Sequence, residues 1–268
     1  MKKLIATLLA AIVVLTLGVP ALAEDDSLVK IKEKGTLILG LDDSFPPMGF
    51  RDENNEIVGF DIDLAREVAS RLGVELILQP IDWAAKEMEL SSGNIDCIWN
   101  GMSDTPARQE AMAMSMDYLN NKMVILVKDP SFESRENLAG KKLGVQSGSY
   151  AEELLETDAN LADFYGSLGE VLSYQDYLTA IMDLQSGSID GILIDLVVAN
   201  YQITQIGDES LFTIDNLADD YYAIGFRKED VALRDAVNDI LKQMAKDGVV
   251  DDIASKWFGE NITLIEAE

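Results

Sequence analysis

The sequence predicts an α/β chain folded as two similar lobes, and three observations carry that prediction. From Gly35 onward, short β-rich runs alternate with amphipathic helical stretches. The segment Leu90-Ser91-Ser92-Gly93-Asn94-Ile95-Asp96-Cys97-Ile98 recurs as Leu184-Gln185-Ser186-Gly187-Ser188-Ile189-Asp190-Gly191-Ile192. A length of 268 residues with 48% apolar content fills one large domain or two ordinary ones.

In chain order, Met1-Lys2-Lys3, the apolar stretch Leu4 to Val19 and Pro20-Ala21-Leu22-Ala23 form the charged, apolar and small-residue parts of a secretory leader. Cleavage is expected after Ala23. An uncleaved anchor is the weaker alternative, because the apolar stretch is shorter than the roughly 20 residues that span a bilayer. Thr36 to Leu41 reads as a buried strand. Asp61 can cap a helix over Ile62 to Leu72, whose Leu64, Ala65, Val68 and Leu72 share one face before Gly73 ends it. Val74 to Gln79 is the next strand, Trp83 to Leu90 the next helix, and Ile95 to Trp99 the strand after Gly93.

Each copy of the repeated segment is a helix end, a glycine cap and a strand start; chance likeness between two β-α-β units is the alternative to two lobes. Met123 to Val127 would cross into the second lobe, with Leu143 to Val145 and Ile189 to Ile194 as its strands. Tyr221 to Phe226 would return. Helices at Ala232 to Met244 and Val249 to Trp257 would pack on the first lobe. The expected division is residues 24–122 with 220–268 in one lobe and 123–219 in the other, leaving a cleft where ligands bind.

Composition excludes several functions. With 48 acidic against 21 basic residues, the net charge of −27 repels nucleic acid and anionic lipid. The chain has no histidine and one cysteine, Cys97, which removes Ser-His-Asp and Cys-His catalysis, His-ligated zinc and intrachain disulfides. No cofactor and no metal are expected. Asp52, Asn54, Glu56 and Asp63 have calcium-loop spacing, but Ile57 stands where such a loop needs glycine, and Asn54-Asn55 reads as a hairpin turn. The alternating Met112, Met114 and Met116 read as packing.

The candidate ligand residues follow strands at their carboxyl ends, where α/β proteins place ligand contacts. After the first strand, Asp42 or Asp43 either meets a cation or forms an Asx-turn into Pro46-Pro47, and Phe45 is core or contact. After the strand of the first repeat copy come Asn100, Gly101, Ser103 and Arg108. Ser103 or Thr105 can cap a turn opened by Pro106, and Arg108 either grips a carboxylate or pairs with a surface acid. Gln146-Ser147-Gly148-Ser149-Tyr150 is a turn into a helix whose amides suit an anion, without the Gly-Lys-Ser ending of a nucleotide loop. Asp195 either meets a cation or caps the helix Leu196 to Tyr201. Taken together, these groups complement a zwitterion such as a free α-amino acid.

The stretches Gly59-Phe60-Asp61-Ile62-Asp63-Leu64-Ala65, Ser92-Gly93-Asn94-Ile95-Asp96, Thr105-Pro106-Ala107-Arg108 and Gly140-Lys141-Lys142-Leu143-Gly144-Val145 resemble the solute-binding proteins of polar amino acid ABC transporters, family 3. The resemblance runs from about Leu37 to Phe258. It implies a type II periplasmic-binding-protein fold, with two α/β lobes of mixed sheet flanked by helices and joined by two hinge strands. It also implies a protein that closes on an amino acid and docks on a membrane permease; a hinged monomer is the simplest expectation. The ligand ammonium would meet Asp42, Asp195 and the Gly101 carbonyl, and the carboxylate would meet Arg108, Ser103 and the amide of Ser149 or Tyr150. Phe45 and Trp83 would sandwich the ligand, and Gln146 and Asn100 would read its side chain. Met48, Asp104 and the run Met114-Ser115-Met116-Asp117-Tyr118 depart from the usual pattern. Among the nameable pocket residues no unpaired acid remains beyond Asp43 and Asp104, which favours a neutral polar or apolar side chain. A secreted cyclohexadienyl or arogenate dehydratase on the same fold is the enzymatic alternative, with Glu153 or Asp43 as general acid. A ligand-sensing partner of a membrane receptor is a third.

Overall fold

The computed structural model describes residues 25–207 and 210–266. The leader read at residues 1–23 lies outside them. The chain opens with α1 (Ser27–Lys34), which the sequence reading passed over, and β1 (Thr36–Leu41). A small antiparallel sheet follows, of β2 (Ser44–Phe45), β3 (Gly49–Arg51) and β4 (Ile57–Val58), in which Asn55 takes the left-handed turn conformation at φ 64°. Next come α2 (Phe60–Leu72) and β5 (Glu75–Pro80), then a 3-10 turn (Trp83–Ala85) leading into α3 (Lys86–Ser91), and β6 (Cys97–Ser103). The predicted helix at Trp83 therefore opens as a 3-10 turn, where the Asp82 side chain accepts from the Ala84 N–H.

After α4 (Pro106–Ala111) and β7 (Ala113–Met114), the long strand β8 (Leu119–Val127) leaves the first lobe. The second lobe contains β9 (Lys142–Gln146), α5 (Tyr150–Thr157), α6 (Ala162–Ser167), β10 (Glu170–Tyr174), α7 (Tyr177–Ser186), β11 (Gly191–Asp195) and α8 (Leu196–Ile206). The return strand β12 (Phe212–Phe226) begins nine residues before the expected Tyr221, because it pairs with β8 from Phe212↔Val127 to Tyr222↔Leu119. Helices α9 (Val231–Lys246) and α10 (Val249–Phe258) pack on α1 and α2.

The main sheet runs β10-β9-β11-β8-β12-β6-β1-β5, with β7 beside β12. Read outward from its centre, each half repeats one plan. A strand entering from the other lobe (β12 or β8) lies antiparallel to the third strand of the half (β6 or β11), which is followed by two parallel strands. The repeated sequence segment occupies equivalent places in the two halves, as α3 to β6 and α7 to β11. Parallel strands buried on both faces need apolar runs. Leu37, Leu39, Leu41, Cys97 and Trp99 supply them in the first lobe, and Leu143, Val145, Ile192 and Ile194 in the second. Met112 and Met114 are buried among Trp83, Leu90, Ile95 and Ile98.

Candidate functional site

All eleven residues singled out from the sequence line one narrow cleft between the lobes. Asp42, Phe45, Trp83, Asn100, Gly101, Ser103 and Arg108 come from the first lobe, and Gln146, Ser149, Tyr150 and Asp195 from the second. Parallel strands aim their carboxyl ends at the partner lobe, so residues distant in sequence meet there.

At one end, Asp42 follows β1 and is buried. Its Oδ1 accepts from the Ser44 N–H at 2.9 Å, so the Asx-turn exists, and its Oδ2 accepts from Gln146 Nε2 across the cleft at 2.6 Å. Burial lifts its carboxyl to about 6 against the pull of those two hydrogen bonds. Asn100 Oδ1 accepts from the Asp42 N–H, and Asn100 Nδ2 is buried without a hydrogen-bond partner among the described residues. The Phe45 ring lies 5.9 Å from the ring of Tyr177 in the opposite lobe.

At the other end, Thr105, and not Ser103, caps α4 by accepting from the Arg108 N–H, with Pro106 at the first helical position. This fixes the base of Arg108, whose Nη1 donates to the Ser103 carbonyl at 2.8 Å. Arg108 is 4% exposed and makes no ion pair among the described residues, which removes the surface-pair alternative. Burial pulls its pKa down while the more distant Glu153 and Asp220 charges oppose that. Ser149 caps α5 through its hydroxyl and donates its own N–H to the Gln146 carbonyl.

Asp195 stands at the N-cap position of α8 but makes no capping bond. Its Oδ1 accepts from Asn121 Nδ2 at 2.6 Å and from the Tyr222 hydroxyl at 2.8 Å. Asn121 Nδ2 also donates to Asp220 Oδ2 at 2.8 Å, which accepts from Ser103 Oγ as well. Burial raises both carboxyls, and the neighbouring Asp220 charge raises Asp195 further. Asn121, Asp220 and Tyr222 carry this network and were missed in the sequence, since β8 and β12 give no local sign that their polar residues face inward.

Asp61 is a correction. Helix α2 starts at Phe60 with Gly59 as its cap, and Asp61 makes no capping bond. Its carboxylate is fully buried and accepts from the Gly101 N–H at 2.7 Å and the Tyr118 hydroxyl at 2.9 Å. Burial raises it to about 7. Gly101 itself has φ 60°, and a Cβ there would lie 2.8 Å from the Phe45 ring, so only glycine fits this wall. Neither acid named for a dehydratase lines the cleft: Asp43 pairs with Arg51, and Glu153 lines a separate surface pocket that Arg108 also borders.

The arrangement is a buried cation facing a pair of buried carboxyls across a small void, with hydrogen-bonding and aromatic walls between. The model of the bacterial extracellular solute-binding proteins, family 3, matches residues 37–260. The L-cystine-binding protein TcyJ of Escherichia coli K12 is 30% identical over 265 residues, 98% of this chain and 97% of that protein. The arginine-binding extracellular protein ArtP of Bacillus subtilis 168 is 32% identical over 261 residues, 96% of this chain and 98% of that protein. An ABC uptake transporter substrate-binding protein from Streptococcus pneumoniae, solved with bound histidine, superposes with a TM-score of 0.86 at 36% identity, over 89% of this chain and 98% of that one. The chain thus belongs to the bacterial extracellular solute-binding proteins, family 3.

Proposed function

We propose that the protein is the substrate-binding component of an ABC importer and captures a free α-amino acid between its lobes. Arg108 carries this reading. A guanidinium buried without an anion is costly, and a ligand carboxylate held by two parallel hydrogen bonds removes that cost. The Tyr150 N–H, at the first position of α5, would complete the carboxylate site. Asp195, Asp42 and the Gly101 carbonyl would take the ammonium. Phe45 and Trp83 would flank the side chain.

The side chain is proposed to be neutral and polar. The buried, unpartnered Asn100 Nδ2 offers a donor to a neutral acceptor on the ligand side chain. The same reading has the leader removed after Ala23 and the protein serving a membrane permease as a monomer outside the cytoplasm. Its lobes are then residues 24–122 with 220–268, and 123–219.

The test is a thermal-shift screen of refolded, ligand-free protein against the twenty amino acids and cystine, with Arg108→Ala as control. A ligand at 100-fold its Kd adds roughly 2.7 kcal/mol. A neutral polar amino acid should raise Tm in the wild type and not in the variant. Arginine or histidine as the strongest hit would overturn the side-chain assignment alone. No hit among the amino acids, with turnover of prephenate, would replace the binder by the dehydratase.

A further inference from the structure

Lys86, at the first position of α3, is a buried ammonium that the cleft description leaves unused. It is 4% exposed and makes no ion pair among the described residues. Its Nζ lies over the Trp83 ring, 5.2 Å from the centroid, and donates to the Trp83 carbonyl at 3.3 Å. Its shortest hydrogen bond, 2.7 Å, goes to the Gly148 carbonyl in the opposite lobe. A second observation marks the same junction. Gly148 has φ 69°, and a Cβ on it would lie 2.7 Å from the Ala84 Cα, so backbone of one lobe touches backbone of the other with no room for a side chain. Lys86 and Arg108 both line a surface pocket that adjoins the cleft at Arg108 and Ser149, together with Glu87, Glu152 and Glu153.

We propose that Lys86 is a closure clasp: its ammonium is solvated when the lobes part and binds the Gly148 carbonyl only when they close, retaining the ligand without touching it. Lys86 is thus a positioning residue. Burying an ammonium costs solvation, and a short charge-assisted hydrogen bond to a carbonyl is what offsets it. The Arg108 charge works against the Lys86 ammonium in the closed form, and burial with that repulsion lowers Lys86 to about 8. A ligand carboxylate on Arg108 relieves the repulsion, so clasp and ligand favour the same closed state. The remaining charges facing Lys86, Glu87, Glu152 and Glu153, act in its favour.

The proposal rests on the amino-acid reading, and the experiment separates the two. The probe is a mixture of the twenty L-amino acids and L-cystine at 1 mM each, applied to wild type and Lys86→Met, which keeps an unbranched side chain of similar length and loses the donors. Lysine acetylation read by mass spectrometry should fall about tenfold or more at Lys86 when the mixture is present. Exposed Lys32 and Lys246 should be unaffected. Release on hundred-fold dilution, followed by tryptophan fluorescence, should be at least about fivefold faster in Lys86→Met, as loss of a charged hydrogen bond implies. The association rate should stay within about twofold. If the mixture raises the Tm of both proteins but Lys86 labels equally with and without it, or the variant releases at the wild-type rate, the clasp is wrong and the binding reading stands. If the mixture leaves the wild-type Tm unmoved, the binding reading falls and the clasp with it.

Discussion

A guanidinium on a solvated surface gains at most about 1 kcal/mol from a neighbouring carboxylate. Arg108 has instead been taken out of water with only a backbone carbonyl for company. The buried acids have the complementary problem. Asp61 at about 7 and Asp42 at about 6 both lie above the unfolded value of 3.8, so the folded state binds protons more tightly than the unfolded chain between those limits. Stability from these groups is therefore fully present below about 4 and is lost as pH rises toward 7. We expect the ligand-free protein to melt at a higher temperature at pH 5 than at pH 8, and Asp61→Asn to flatten that difference; a melting series across pH checks it. Ligand binding should run the other way. An ammonium needs an ionised Asp195, whose carboxyl is raised, so calorimetry should find amino-acid affinity weaker at pH 5 than at pH 8. Arg108 and Asp195 were legible from their place after strands. Asp61 was read as a cap because Asp near a helix start usually is one.

The difference at Asp61 comes from its neighbour. Gly59 has φ 145°, and a Cβ there would collide with the Met48 carbonyl, so the glycine lets the chain enter α2 two residues early and turns Asp61 toward the core. Gly59→Ala should cost about 3 kcal/mol or more, through strain and collision together, and should lower Tm sharply in a thermal melt. By comparison, Gly73→Ala meets open space and carries only the strain of φ 76°, so its loss should be the smaller of the two. Element identity was largely readable. Helices over Ile62 to Leu72 and Ala232 to Met244 appear within one or two residues of their expected bounds, because their apolar periodicity and Gly or polar ends are local signals. The hinge strands were read too short at both places. Their outer halves carry Asn120, Asn121, Asp219 and Asp220, polar residues that pair strand to strand but break the apolar alternation by which strands are found.

At the scale of the molecule, two strands carry the chain between lobes, and the cleft contacts between Asp42 and Gln146, Phe45 and Tyr177, and Lys86 and Gly148 all cross from one lobe to the other. Such contacts can form only when the lobes are closed. A stabilising amino acid should therefore reduce the radius of gyration measured by small-angle scattering, and Arg108→Ala should abolish that change. The sequence by itself determined the α/β class, the repeated β-α-β plan, the absence of histidine chemistry and the residues at strand ends, because periodicity, caps and composition are written within a few residues of where they act. Only the tertiary structure decided that Arg108 lacks an anion, that Asn121 bridges Asp195 and Asp220, and that Lys86 reaches Gly148. Burial and pairing depend on residues that sequence places up to about a hundred positions apart and that lobe closure brings within hydrogen-bonding distance.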